Sequence, residues 1–247
     1  MAAGSPVSGI AGEEIVSPDP AALAARAAEW LAARIAAKRD VFRLVLSGGS
    51  TPRGLFTLLG SETWRARIDW ARVELFWGDE RFVPYDDPES NFRMARETLL
   101  ACIDISPANI HPIPTDGDPA YAARRYETLL KTTYGADTLD ASRPLFDVVL
   151  LGLGDDGHTA SLLPGEPVLD ERVKWVAPVA HGRAQPRITL TYPAIESSAV
   201  IAFLVTGADK AQTVRATRVG DLSLPAARIE PKGEVVWFLD SAASKAP

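Results

Sequence analysis

A single α/β domain, with a Rossmann-like, mostly parallel sheet and helices on both faces, is the fold class this sequence predicts. Three observations predict it. Short apolar runs alternate with helical patterns along the whole chain. Several of those runs are apolar throughout instead of at every second residue, as in strands covered on both faces. No Pro-, Gly- or Ser-rich linker of useful length divides the 247 residues. Residues 1–247 therefore read as one domain, with 1–16 as a loosely ordered N-terminal extension.

The elements follow in order. Ser17-Pro18-Asp19-Pro20 is a cap-and-proline start signal, and Leu23, Ala27, Trp30, Leu31 and Ile35 fall at helical spacing, predicting an amphipathic helix to about Lys38. Its charges are few and mixed in sign, which suits a helix covering a sheet better than one lying on a membrane. A strand is expected at 41–46, a helix at 52–59 and a strand at 73–77. Helical patterns then occupy 88–100 and 119–133 before a strand at 146–151. Strand runs return at 175–179, 188–192 and 199–205, a helix at 208–219, and a last strand at 235–239.

Composition narrows the function classes. The chain is 47% hydrophobic and 23% charged, ordinary for a globular protein. A net charge of −6 and a pI near 5.2 argue against broad binding of nucleic acid or anionic membranes. They allow a phosphorylated substrate, whose site must then be built from local cations and amide dipoles. Cys102 is the only cysteine, so neither an intrachain disulfide nor a multi-cysteine zinc site can form, and its apolar setting suits an inert buried thiol. Residues 1–12 carry no basic segment followed by an apolar one, and the longest apolar run, 199–205, has only a strand's length. A cytoplasmic protein is expected.

Three segments place polar and glycine residues directly after a strand pattern, where ligand crevices form in open α/β sheets. Ser47-Gly48-Gly49-Ser50-Thr51-Pro52 combines close backbone approach, two kinds of hydroxyl and a proline suited to a first helical position, so a phosphate is favoured there; a plain strand-to-helix turn is the bland alternative. The segment from Phe76 to Pro84 contains Asp79, Glu80 and Arg81, and reads either as a solvated charged loop or as a site. Gly152-Leu153-Gly154-Asp155-Asp156-Gly157-His158-Thr159 presents two carboxylates and a histidine, the side chain that titrates near neutrality and suits proton transfer. A metal site is disfavoured there, because no second histidine sits at ligand spacing; His111 and His181 look like ordinary loop residues. Arg187 and Lys210 each put a cation at a strand edge, and near a hydroxyl-and-glycine loop two cations make a phosphate clamp.

Taken in order, these segments resemble the family that holds the glucosamine-6-phosphate deaminases and the 6-phosphogluconolactonases, on its lactonase side. The resemblance runs from about Ser17 to Ser241, and also includes Val83-Pro84, Ser90-Asn91, Arg187-Ile188-Thr189-Leu190-Thr191, Gly207-Ala208-Asp209-Lys210 and Val236-Trp237-Phe238-Leu239-Asp240. It implies hydrolysis of a phosphorylated sugar lactone in the oxidative pentose phosphate pathway, without metal or other cofactor. The implied roles are His158 as general base on water, Asp156 as the carboxylate orienting it, and Ser47, Gly48, Gly49, Ser50, Thr51, Arg187 and Lys210 as the phosphate set. Asp79 and Arg81 are implied contacts to sugar hydroxyls or the reacting end. The deaminases carry a glutamate five residues past the histidine, where this chain has Leu163, which cannot move a proton. The lactonases often have an aromatic there, a small departure. A deaminase and a non-catalytic sugar-phosphate sensor remain the alternatives; the base in Asp156-Gly157-His158 argues against the sensor. The expected partner is a small phosphorylated lactone, with no nucleic acid or membrane, and the expected state is a monomer or weak homodimer.

Overall fold

The computed structural model describes residues 9–245. Ten strands form in chain order: β1 (Glu13–Ser17), β2 (Phe42–Leu46), β3 (Val73–Trp77), β4 (Asp79–Arg81), β5 (Ile110–His111), β6 (Phe146–Leu151), β7 (Val176–Val179), β8 (Arg187–Leu190), β9 (Ser198–Val205) and β10 (Glu234–Asp240). Seven of them make an all-parallel sheet in the order β1-β10-β9-β6-β2-β3-β5. The α-helices are α1 (Pro20–Ala37), α2 (Ser50–Leu59), α3 (Glu62–Arg65), α4 (Asn91–Ala95), α5 (Pro119–Tyr134), α6 (Tyr192–Glu196), α7 (Ala211–Arg218) and α8 (Ser241–Ser244).

Local chemistry accounts for the main boundaries. Asp19 caps α1 by accepting from the Ala22 amide at 2.8 Å, with Pro20 in the first turn, and the apolar stripe from Leu23 to Ile35 is buried. Asp118 caps α5 in the same way, and Gly135, at φ 77°, ends it in the left-handed conformation. Inside α5, the buried Tyr126 hydroxyl accepts from the Trp77 amide at 3.0 Å and so pins the helix to the end of β3. Central strands fill the core: Phe203 of β9 stacks on Trp237 of β10 with centroids 4.0 Å apart. No helix among the described residues is long and apolar enough to cross a membrane.

Three expectations need correction. Of the N-terminal stretch expected to be loosely ordered, residues 1–8 lie outside the described residues, but Glu13–Ser17 is an edge strand in parallel register with β10. Its anchor is internal: the Trp237 indole donates to the Ile10 carbonyl at 3.2 Å. The helix expected at 88–100 is shorter, with α4 running into a π-turn at Arg96–Leu100. A second, antiparallel sheet of order β4-β8-β7 also takes two of the predicted strands out of the main sheet.

After the edge strand β1, the chain enters the middle of the main sheet at β2, moves outward through β3 and β5, then returns to β6 on the other side of β2. That reversal opens a crevice at the carboxyl ends of β2 and β6, where ligands of such sheets bind. The loops that follow β2, β6 and β9 all leave the sheet at this end.

Candidate active site

The crevice is a cleft of about 270 Å³. Its walls are the loop after β2 (Ser47, Gly48, Gly49, Ser50, Thr51), the strand β4 (Asp79, Arg81), the glycine turn after β6 (Gly152, Gly154, His158), Arg187 of β8, and Thr206 and Lys210 after β9. Every residue expected from the sequence at the site lines this cleft except Asp156, which stands behind His158.

The loop after β2 owes its shape to glycine. Gly49 has φ 104°, a region that side chains rarely enter, and it opens α2 without any side-chain cap. The first amides of α2 are thus left to whatever occupies the cleft, together with the positive end of the helix dipole. Gly48 is needed for a different reason: a Cβ there would lie 2.1 Å from the Asn91 amide oxygen. Thr51 closes the loop onto the β9 end through a 2.8 Å hydroxyl contact with Thr206.

Strands β4 and β8 add the cations. Their register sets Arg81 directly opposite Arg187. Like charges facing across a ladder repel, so this pairing costs stability unless an anion lies between or near them. Both guanidinium Nε atoms are buried with no partner among the described residues. Burial lowers the Arg187 pKa, opposed by Asp79, whose carboxylate is 3.8 Å away. Asp79 is itself held by the Ser161 hydroxyl at 2.7 Å and the Asn91 amide at 3.2 Å. Lys210 completes the set; burial lowers its pKa, and it pairs with Asp155 and, at 3.6 Å, with Asp209.

A buried carboxylate supports this wall from beneath. Glu80 is 1% exposed and accepts four hydrogen bonds, from the Arg81, Asn91 and Phe92 amides at 2.7 Å each and from the Ser90 hydroxyl at 3.0 Å. It ties β4 to the first turn of α4, and Asn91 carries the tie to Gly48. Burial raises the Glu80 pKa against the pull of those amides.

His158 sits on the turn after β6. Gly157, at φ 74°, lets the chain double back, and the Gly154 amide donates to the His158 carbonyl at 2.8 Å. Ala160 has φ 49°, uncommon for a residue with a Cβ, and it turns Ser161 inward to Asp79. The imidazole Nδ1 lies 2.5 Å from one oxygen of Asp156, and Arg183 donates to the other at 2.6 Å. Burial would raise the Asp156 pKa, but the hydrogen bonds from Arg183 and His158 outweigh it and hold it at about 2. Facing that carboxylate, Nδ1 is the ring nitrogen placed to donate, which leaves Nε2 as the one placed to accept a proton.

Sequence reasoning missed Arg183, Ser161, Thr206 and the Glu80–Asn91 support. Ser161 and Thr206 lie within the motif segments without an assigned role; Arg183, on an exposed loop, carries no pattern. Leu163, by contrast, is wholly buried in the core and lines no part of the cleft. Among the described residues, no group of three His, Cys, Asp or Glu could hold a metal ion.

A cleft lined by facing arginines and free helix amides, beside a histidine paired with a carboxylate at the switch point of an open parallel sheet, has the chemistry to hold a small phosphorylated ligand. Over residues 18–237 the chain matches the family described as Glucosamine-6-phosphate isomerases/6-phosphogluconolactonase, and it belongs to that family. It is 40% identical over 235 residues to the 6-phosphogluconolactonase of Nostoc sp., covering 92% of this chain and 95% of that one. With the Streptomyces coelicolor 6-phosphogluconolactonase it shares 37% identity, covering 93% and 92%. The solved 6-phosphogluconolactonase of Trypanosoma cruzi superposes with a TM-score of 0.83 at 29% identity, over 96% of this chain and 97% of that one. A monomeric glucosamine-6-phosphate deaminase, 23% identical with a TM-score of 0.77, shares the fold.

Proposed function

We propose that this protein hydrolyses 6-phosphoglucono-δ-lactone to 6-phosphogluconate, the lactone-opening step of the oxidative pentose phosphate pathway, in the cytoplasm. The observation that carries the reading is one cleft holding both an oriented base and two facing, under-partnered arginines. His158 takes a proton through Nε2 from a water that attacks C1, giving a tetrahedral oxyanion and an imidazolium. The C1–O bond to the ring oxygen then breaks, and the imidazolium returns its proton to that oxygen. Asp156 orients the ring and stabilises its charged form without taking the proton. The amides and hydroxyls of residues 47–51, with Arg187 and Lys210, bind the phosphate, and that remote anchor converts binding energy into positioning of C1. Asp79 and Arg81 contact the sugar or the reacting end. The proposed state is a monomer or weak homodimer.

The resident side chains also favour lactone opening over the deaminase reaction. Ring opening and isomerisation of an amino sugar need further acid/base groups, and Leu163 supplies none. The test is acid release from freshly prepared lactone, with the spontaneous rate subtracted, beside ammonia release from glucosamine 6-phosphate. Acid release alone supports the proposal; ammonia release supports the deaminase; neither, with retained sugar-phosphate binding, supports a sensor.

A further inference from the structure

The loop between β7 and β8 supplies a residue to which neither the sequence motifs nor the reading above gives any part. Arg183 lies on it, outside the cleft lining, so it does not meet the substrate space directly. Its guanidinium is nevertheless fixed. One nitrogen donates to the Gly182 carbonyl at 2.7 Å, and the other donates to Asp156 Oδ2 at 2.6 Å while lying 3.3 Å from His158 Nδ1. Asp156 is therefore gripped at both oxygens, by imidazole on one side and guanidinium on the other.

We infer that Arg183 is a positioning residue for His158, the outer member of a guanidinium–carboxylate–imidazole chain that aims Nε2. The inference rests on the reading of His158 as general base. Without Arg183, Asp156 has one oxygen free to rotate toward water, and the imidazole loses its fixed acceptor.

Asp155 and Asp156 share the His158 turn, Arg183 comes from the loop, and Asp79, Arg81, Arg187 and Lys210 line the cleft. Among the described residues, Asp156 and Arg183 are the ones within hydrogen-bonding distance of the ring. Asp155 is engaged by Lys210, and Asp79 by Ser161 and Asn91.

The experiment measures kcat and KM for the phosphorylated lactone, with full pH profiles, for native protein, Arg183→Ala, Arg183→Lys and His158→Ala. Arg183→Ala should lower kcat by about tenfold or more, since small misplacements of a catalytic group cost that much. KM should stay within about twofold, because the phosphate set is untouched. Arg183→Lys, which keeps charge but not the fork, should recover part of kcat. A purely structural role would lower thermal stability or raise KM while kcat stays near native, and that result overturns the inference. Equal kcat in native and Arg183→Ala protein also overturns it, provided His158→Ala is inactive. Retained activity in His158→Ala would instead defeat the reading on which the inference rests.

Discussion

A carboxylate gripped at both oxygens serves as a fixed charge. Asp156 has its pKa held at about 2, below its ordinary 3.8, so its ionised form is favoured in the folded state. The stabilisation this brings is complete above the unfolded value and is lost as pH falls through the folded one. Any loss of activity on acidification above about pH 4 therefore belongs to a group other than Asp156. Asp156→Asn should leave KM close to native and lower kcat across the whole profile, because an amide can present the wrong partner to Nδ1; kinetics from pH 5 to 8 check this. Glu80 shows the opposite use of a carboxylate. Buried and fully hydrogen-bonded, it organises the wall, and Glu80→Gln puts an amide NH₂ against backbone N–H groups that cannot accept. Urea denaturation should show a loss of about 1–3 kcal/mol for the stranded donor.

At the level of elements, the parallel core was legible and the polar strands were not. Residues 199–205 are apolar at every position because β9 lies inside the sheet with both faces covered, and that pattern can be read directly. Strand β4 is Asp79-Glu80-Arg81, with no hydrophobic period to find, and its partner β8 lies about a hundred residues further along the chain, so the pairing is set by tertiary packing. The two runs that became β7 and β8 were recognised as strands, though not as a separate sheet. A signal was available: residues 180–186 make too short a connection for a parallel crossover, which needs a dozen or more residues. The motif loops after β2, β6 and β9 were legible because glycines and hydroxyls after a buried strand are chemically conspicuous. Arg183 was hidden because its partner is chosen by loop geometry alone. The β4–β8 ladder carries its own prediction. Arg187→Ala and Lys210→Ala should each raise KM for the phosphorylated lactone by the equivalent of about 1.5–3 kcal/mol, the cost of a charge-assisted hydrogen bond. Arg187→Lys should also be impaired, as a point charge does not reproduce a planar fork. Unphosphorylated glucono-δ-lactone is the control: the native protein should use it poorly and the variants equally poorly, and a matching loss on both lactones would mean these cations do not read phosphate.

For the whole molecule, charge and topology pull together. A chain of net charge −6 repels a phosphate dianion at long range, so recognition depends on a local concentration of positive potential at the sheet's switch point. The parallel sheet brings three loops to that point, and the small antiparallel sheet adds two arginines that would not otherwise face each other. The account assigns the chemistry to an imidazole and a water, so overnight dialysis against EDTA should leave turnover unchanged; inactivation that a divalent ion reverses would contradict that. The central claim is that His158 is the base in lactone hydrolysis, and acid release from freshly made 6-phosphoglucono-δ-lactone by native and His158→Ala protein tests it most directly. The account predicts a fall in kcat of about 10²–10⁴-fold with phosphate affinity and fold retained. A His158→Ala protein that turns over at a near-native kcat would contradict it.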